Sequence, residues 1–105
     1  MAVAALALLA GQPATLAAEQ SQLEQGRQLF MQKAMPACAL CHALKAAGSE
    51  GAVGPSLDEL KPDAARVAKA LRDGIGQMPS YKSTLSEAQI LSVAAYVSQA
   101  AAGGK

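Results

Sequence analysis

The sequence has few large aromatic side chains and no marked excess of charge of either sign. Its 105 residues include one Phe, two Tyr and no Trp, and nine Lys and Arg stand against eight Asp and Glu. A near-balanced charge argues against a nucleic-acid-binding protein, which usually shows a clear basic excess. A single domain with so few large apolar side chains has little core of its own. We therefore expect it to need a staple, a metal or a cofactor.

Cysteine is also scarce, and the two present lie close together at Cys38 and Cys41. A disulfide across so short a loop would constrain the unfolded chain far less than a long-range bridge. The only histidine of the chain, His42, follows directly. These three residues therefore call for an explanation other than a structural disulfide.

The N-terminal stretch differs from the rest, because none of its first eighteen residues is charged. An apolar run over residues 1–10 is followed by a Gly-Gln-Pro breaker and then by small residues, an order typical of a secretory signal peptide. We predict a signal peptide over residues 1–18, cleaved after Ala17 or Ala18, and an exported, periplasmic domain over residues 19–105. An uncleaved membrane anchor is the alternative, although the run is shorter than the ~20 residues that span a bilayer.

The periodicity of the mature part is helical, and no run alternates with period two for long enough to predict a sheet. Apolar residues at three- and four-residue steps predict a first helix from about Gln20 to Lys33, ended by Pro36. A loop rich in Gly and Ser follows over residues 48–56. A second helix is expected within residues 62–74, where a Pro-Asp pair precedes it and glycine stops it.

The last helix has the clearest start. Ser86 with Gln89 three residues later predicts a capping box, and Leu85 and Ile90 occupy the positions of a hydrophobic staple. The helix should then run to the glycines at the C-terminus. Three alanine-rich helices of this kind would pack poorly by themselves, so another group must fill the centre.

The segment Cys38-Ala39-Leu40-Cys41-His42 carries the attachment signature for c-type haem. In a helical turn, residues three and four apart project to the same side. The two sulfurs can then form thioethers with the haem vinyl groups, and His42 is left as the proximal ligand of the iron. The segment therefore predicts one haem c, bound covalently through Cys38 and Cys41.

Three other interpretations of the two cysteines and the histidine are alternatives to haem attachment. A thioredoxin-like redox pair requires a strand-to-helix junction in a βαβ unit, and no strand is predicted. A structural zinc site requires four protein ligands, whereas these residues supply three. A chance cysteine pair beside a core histidine is the third, although an exported protein would tend to oxidise such a pair.

The order of motifs along the chain resembles that of class I cytochromes c: Gly26-x-x-x-Phe30, Cys38-x-x-Cys41-His42, Gly54-Pro55-x-Leu57, Gln77-Met78-Pro79 and a helix with Tyr96-Val97. The resemblance covers essentially the whole mature chain. It implies an all-α, class I cytochrome c fold, in which three main helices and loops wrap around one covalently attached haem. It also implies that the first and last helices meet at Gly26, Phe30, Tyr96 and Val97.

The resemblance further implies a set of residues that bind the cofactor: Cys38, Cys41, His42, Pro55 and Met78. His42 and Met78 would be the two iron ligands, and a Met/His pair raises the reduction potential of an electron carrier. The Pro55 carbonyl would accept the second ring N–H of His42, because ligating histidines usually donate that proton to a fixed acceptor.

Several details of the implied site stay open. Met31 and Met35 are rivals for the second ligand position. Because the chain lacks the Trp that helps some members of the family to bind a haem propionate, Tyr81, Lys82 and Arg66 are candidates for that role. We also expect an apolar wall around the haem, formed by Leu40, Val53, Leu57, Leu71, Ile75 and Leu85.

The resemblance implies a one-electron carrier without enzymatic activity, in which haem c alternates between Fe(III) and Fe(II) and exchanges electrons with redox proteins. It implies neither a nucleic-acid partner nor a membrane span after signal cleavage. One alternative is a permanent haem subunit of a periplasmic oxidoreductase, such as the sulfite or other sulfur-compound dehydrogenases whose small cytochrome subunits this chain is similar to. The other is a haem-based gas sensor, in which a gas displaces Met78.

Overall fold

The structure is a computed structural model that describes residues 14–103. Its elements follow in chain order: α1 (Ala14–Gln28) with a π-helical turn (Leu29–Lys33), a 3-10 turn (Cys38–Leu40), β1 (Ala43–Leu44), a second 3-10 turn (Lys45–Ala47), β2 (Ser49–Glu50), α2 (Leu57–Leu60), α3 (Ala64–Asp73) and α4 (Glu87–Ala101). Helices predominate, as the periodicity predicts. Among residues 14–103, no helix has both the length and the apolar character that a membrane crossing requires.

The first helix begins earlier than predicted, at Ala14 rather than near Gln20. Its opening residues are mostly alanine, which favours helix without any capping signal in the sequence. The predicted end is confirmed: the backbone is extended at Ala34, two residues before Pro36. Most of the predicted signal peptide, residues 1–18, lies outside the described residues, and its last five residues open α1.

The predicted ends of α3 are confirmed. The Asp63 carboxylate accepts the backbone N–H of Arg66 at 2.8 Å, which caps the first turn. At the other end, Gly74 adopts a φ of +74°, a backbone conformation that glycine tolerates without a steric penalty.

The capping box of α4 is present as predicted. The Gln89 backbone N–H donates to the Ser86 hydroxyl at 3.1 Å, and the Ser86 backbone N–H donates to the Gln89 side-chain oxygen at 2.8 Å. Leu85 and Ile90, the predicted staple residues, are both buried in the core. This helix therefore has a fixed start, from which its apolar face packs on α1 and α3.

The helices α1 and α4 cross at Gly26. A Cβ atom on Gly26 would lie 2.1 Å from the Ser92 carbonyl oxygen and 2.7 Å from the Tyr96 Cβ, so only glycine allows this approach. One turn further on, the rings of Phe30 and Tyr96 pack with their centroids 5.9 Å apart and tilted by 58°. The meeting of the first and last helices, implied by the resemblance, is confirmed at these residues.

Two small elements were not predicted. The strands β1 and β2 pair antiparallel, Ala43 with Glu50 and Leu44 with Ser49, and α2 is a single helical turn. The periodicity could not indicate the strands, because two residues are too short to show a period, and the mostly helical fold expected from the sequence is unchanged. The strands matter for the site, because β1 directly follows the Cys-x-x-Cys-His segment and β2 packs against it.

Candidate functional site

A cavity of about 530 Å³ opens beside the Cys-x-x-Cys-His segment. Its lining is predominantly apolar and comes from Phe30, from parts of the segments 36–42, 53–62 and 75–81, and from α3 and α4. The volume falls in the range of about 300–1,000 Å³ that is usual for cofactor pockets. All five predicted cofactor-binding residues line this one cavity: Cys38, Cys41, His42, Pro55 and Met78.

The attachment segment forms a helical turn, as its spacing predicts. The backbone N–H groups of Cys41 and His42 both donate to the Cys38 carbonyl oxygen, at 3.1 and 3.0 Å. The Ser49 hydroxyl, on β2, donates to the His42 carbonyl oxygen at 3.0 Å. The turn therefore presents two sulfurs and an imidazole to the cavity, and the short sheet holds its end.

The ring of His42 is fixed in both tautomer and orientation. Its Nδ1 lies 2.8 Å from the Pro55 carbonyl oxygen, and because a carbonyl can only accept, Nδ1 carries the proton. The Nε2 lone pair is then available to a metal, which is the arrangement usual for ligating histidines. A Cβ on Gly54 would lie only 2.6 Å from the His42 Cε1, so the ring packs directly on the Gly54 backbone.

Glycine also allows the loop 51–54 to lie against the attachment turn. A Cβ on Gly51 would lie 2.6 Å from the Cys41 carbonyl carbon and 2.7 Å from the His42 nitrogen. The Gly54 N–H donates to the Cys41 carbonyl oxygen at 2.7 Å. The sequence alone did not predict that either glycine contacts the site. The pattern that could have indicated it is the Gly-x-x-Gly-Pro spacing within a loop.

Among the methionines of the described residues, only Met78 lines the cavity. Met31 packs against the helical core, and the Met35 side chain is 74% exposed. A pair of backbone hydrogen bonds holds the Met78 turn closed: the Ile75 N–H donates to the Met78 carbonyl at 3.0 Å, and the Met78 N–H donates back at 2.9 Å. The structure therefore brings Met78, and not its rivals, to the predicted site.

The apolar wall was predicted correctly in four positions, since the lining includes Val53, Leu57, Leu71 and Ile75. Two positions were wrong. Leu40 is 68% exposed, because it belongs to the attachment turn but projects away from the side that carries the sulfurs. Leu85 is buried in the helical core and is not part of the lining.

Two of the three candidates for a propionate contact line the cavity. Arg66, on α3, and Tyr81 belong to its lining, whereas Lys82 does not. Arg66 therefore supplies a cation at the cavity wall. The Tyr81 hydroxyl donates to the Pro36 carbonyl oxygen at 2.6 Å.

The environment of the cysteines disfavours the other two chemistries. Burial raises the pKa of the Cys38 thiol to about 11, whereas the attacking cysteine of a thioredoxin-like pair needs a lowered pKa. Within the described part of the chain, no group of three or more His, Cys, Asp or Glu side chains is placed to share a metal ion. A structural zinc site would need four such ligands.

Comparison with known proteins decides the family. The family described as cytochrome c oxidase, cbb3-type, subunit III matches residues 21–97. The chain belongs to this family of c-type cytochromes. The crystal structure of the c-type cytochrome SorU from Sinorhizobium meliloti is similar to this chain, with 49% sequence identity and a TM-score of 0.76. The match covers 78% of this chain and 93% of that chain. No curated protein matches.

As a c-type cytochrome, the chain has the class I cytochrome c-like fold, and its family carries covalently bound haem c. The residues present fit that group. Two free thiols, an imidazole whose Nδ1 is hydrogen-bonded to Pro55, and a thioether converge on one apolar cavity. Members of the family are typically electron-transfer proteins without catalytic activity of their own.

Proposed function

We propose that this c-type cytochrome carries single electrons between redox proteins, with His42 and Met78 as the axial ligands of one haem c. The observation that carries the proposal is the convergence of Cys38, Cys41, His42 and Met78 on the same cavity. Bound haem supplies the one-electron chemistry of iron, and the protein supplies attachment, ligation and burial.

Each residue has a distinct part in this proposal. Cys38 and Cys41 hold the cofactor covalently as thioethers, so it is not lost outside the cytoplasm. Pro55 keeps the Nδ1 proton of His42 in place and so keeps Nε2 directed to the iron. Met78 would supply the second ligand of the iron, and a thioether in that role would raise the reduction potential relative to a harder ligand.

We further propose that the chain works in the periplasm after removal of a signal peptide. The uncharged, apolar N-terminal segment supports this proposal, and covalent attachment of the cofactor suits an exported protein. The N-terminal sequence of the mature protein tests it, since cleavage after Ala17 or Ala18 is expected.

A freely diffusing carrier and a permanent subunit of a larger periplasmic oxidoreductase are both compatible with this site. The formal net charge of +1 gives little long-range attraction to a partner, so steering by charge is weak. Large apolar side chains are exposed on the attachment turn and at the cavity wall, at Leu40, Val53 and Ile75. A second chain that copurifies in fixed ratio would favour the subunit role.

The decisive measurement is carbon monoxide binding to the reduced, haem-loaded protein. If His42 and Met78 close both axial positions, the visible spectrum stays unchanged on addition of the gas. The variant Met78→Ala should bind carbon monoxide stoichiometrically and have a lower reduction potential. Met35→Ala is the matched control, because its exposed side chain is not part of the cavity lining, and it should behave as wild type.

Other results would change the assignment. Rapid, stoichiometric binding by the wild-type protein would mean an open or labile position, and it would favour the gas sensor. An unchanged spectrum and reduction potential in Met78→Ala would exclude Met78 as the ligand and return Met31 and Met35 to consideration.

A further inference from the structure

The Tyr81 hydroxyl joins two segments of the cavity wall that are distant in the chain. It donates to the Pro36 carbonyl oxygen at 2.6 Å, across a separation of 45 residues. Pro36 lies two residues before Cys38, and Tyr81 lies three residues after Met78. The hydrogen bond therefore connects the segment that attaches the cofactor with the loop that carries the proposed second ligand.

The other hydrogen bonds of this loop lead elsewhere. The Tyr81 N–H donates to the Leu71 carbonyl oxygen at 2.7 Å, and the Ser80 hydroxyl donates to the Arg72 carbonyl oxygen at 2.5 Å. The Gly74 N–H donates to the Ala70 carbonyl oxygen at the end of α3, and the remaining hydrogen bonds stay within residues 75–85. Within the described residues, the Tyr81 hydroxyl is thus the only hydrogen-bonding group that ties the loop to the attachment segment.

The environment of Tyr81 suits such a role. Its side chain is only 4% exposed, so water competes poorly for the hydroxyl. Burial raises the pKa of Tyr81 to about 12, and the group therefore remains a donor throughout the neutral range.

We propose that Tyr81 is a positioning residue, and that its hydrogen bond to Pro36 holds the Met78 loop against the attachment segment so that Met78 stays on the iron. This inference rests on the proposed His42 and Met78 ligation. How long a neutral thioether stays bound to a metal depends partly on how firmly the chain segment that carries it is held in place. Freeing one side of the loop should therefore increase the time that Met78 spends away from the axial position.

The test is the rate at which imidazole replaces Met78 in the ferric, haem-loaded protein. Tyr81→Phe removes the hydroxyl and keeps the ring, so the packing is retained. A neutral hydrogen bond of typical net strength corresponds to a change of about three- to tenfold, and imidazole should bind faster by that factor. The potential should fall at the same time, because the ferric state gains access to other ligands.

Tyr96→Phe is the matched control, since the Tyr96 hydroxyl is buried without a hydrogen-bond partner among the described residues and lies outside the cavity lining. Its imidazole rate should equal that of the wild type. Urea denaturation of both variants separates stability from ligand exchange. A Tyr81→Phe protein that is less stable but exchanges ligand at the wild-type rate would show a merely structural role and overturn the inference.

The absorption band of sulfur-ligated ferric haem keeps this inference distinct from the proposed function. A band present in the wild type and absent in Met78→Ala supports His/Met ligation, and an unchanged imidazole rate in Tyr81→Phe would then overturn only the role of Tyr81. If the wild type lacks the band, the proposed ligation is wrong and the role of Tyr81 is overturned with it.

Discussion

At the scale of single residues, the site depends on how closely the backbone approaches the imidazole of His42. The ring is hydrogen-bonded to Pro55 and packs on Gly54, where a Cβ would lie 2.6 Å from Cε1. We expect Gly54→Ala to displace the ring and lengthen its hydrogen bond. Such overpacking costs about 1–3 kcal/mol of stability, and a disturbed partner of a ligating histidine weakens metal binding. Urea denaturation of the haem-loaded variant measures the loss of stability, and its reduction potential reports the disturbed histidine.

Gly48→Ala is the control for the backbone alone. Gly48 has a φ of +69°, but a Cβ there would have no neighbour within 4 Å. It should therefore cost about 1–2 kcal/mol through left-handed strain and leave the potential unchanged. Equal potentials in the two variants would mean that Gly54 does not confine the ring.

At the scale of elements, the crossing of α1 and α4 supports the wall of the cavity that Phe30 and Val97 provide. The crossing depends on Gly26, where an added Cβ would overlap the Ser92 carbonyl oxygen at 2.1 Å. Because that oxygen belongs to a helix backbone, the two helices must separate. We expect Gly26→Ala to lower the free energy of unfolding by about 3 kcal/mol, at the upper end of the usual cost of overpacking.

Urea denaturation followed by circular dichroism checks this value in the haem-loaded protein. Gln25→Ala, on the exposed side of the same helix, is the control and should stay within about 0.5 kcal/mol of wild type. A Gly26→Ala protein as stable as this control would contradict the close crossing.

The same elements show which features a single sequence can predict. The capping box at Ser86 and the end of α3 at Gly74 were predicted because their signals lie within a few residues of the helix ends. The strands β1 and β2 were missed because two residues carry no period. Leu40 and Leu85 were misplaced for another reason. Whether a side chain faces a cavity depends on how separate segments meet, and the hydrophobicity of a residue does not show which surface it meets.

The residues of the site also separate into those that local sequence patterns predict and those that only the tertiary structure brings together. Cys38, Cys41 and His42 were predicted from their spacing, since haem attachment requires three groups on one turn. The contact of Gly54 with the imidazole, and of Tyr81 with Pro36, joins residues that only the tertiary structure brings together. No local sequence pattern predicts such contacts. The resemblance to class I cytochromes c did imply Pro55 and Met78 as cofactor-binding residues.

At the scale of the whole molecule, the helical core and the cavity share side chains. The largest fully buried side chains of the described residues are Phe30, Leu44, Leu71, Ile90 and Val93. Three of them, Phe30, Leu71 and Val93, also line the cavity. The cofactor would therefore complete the same core that holds the helices together.

We expect the haem-free chain to be largely unfolded for this reason. Without the cofactor, the apolar walls of a cavity of about 530 Å³ would face water instead of packing against an apolar group. A small domain is stable by only about 5–15 kcal/mol, so the loss of that apolar contact should be enough to unfold it. The haem-free chain should accordingly lose the near-ultraviolet signal of Tyr81 and Tyr96, both buried in the structure.

The haem-loaded form of the same chain is the reference for this comparison, and amide dispersion in NMR spectra is an independent measure. Loss of signal in the haem-free form alone would mean that the cofactor supplies the core that the sequence lacks. A native-like near-ultraviolet signal and dispersed amide resonances without haem would instead show that the few large side chains and the close crossing at Gly26 suffice. The cavity would then be a preformed site, and covalent attachment would serve to retain the cofactor rather than to complete folding.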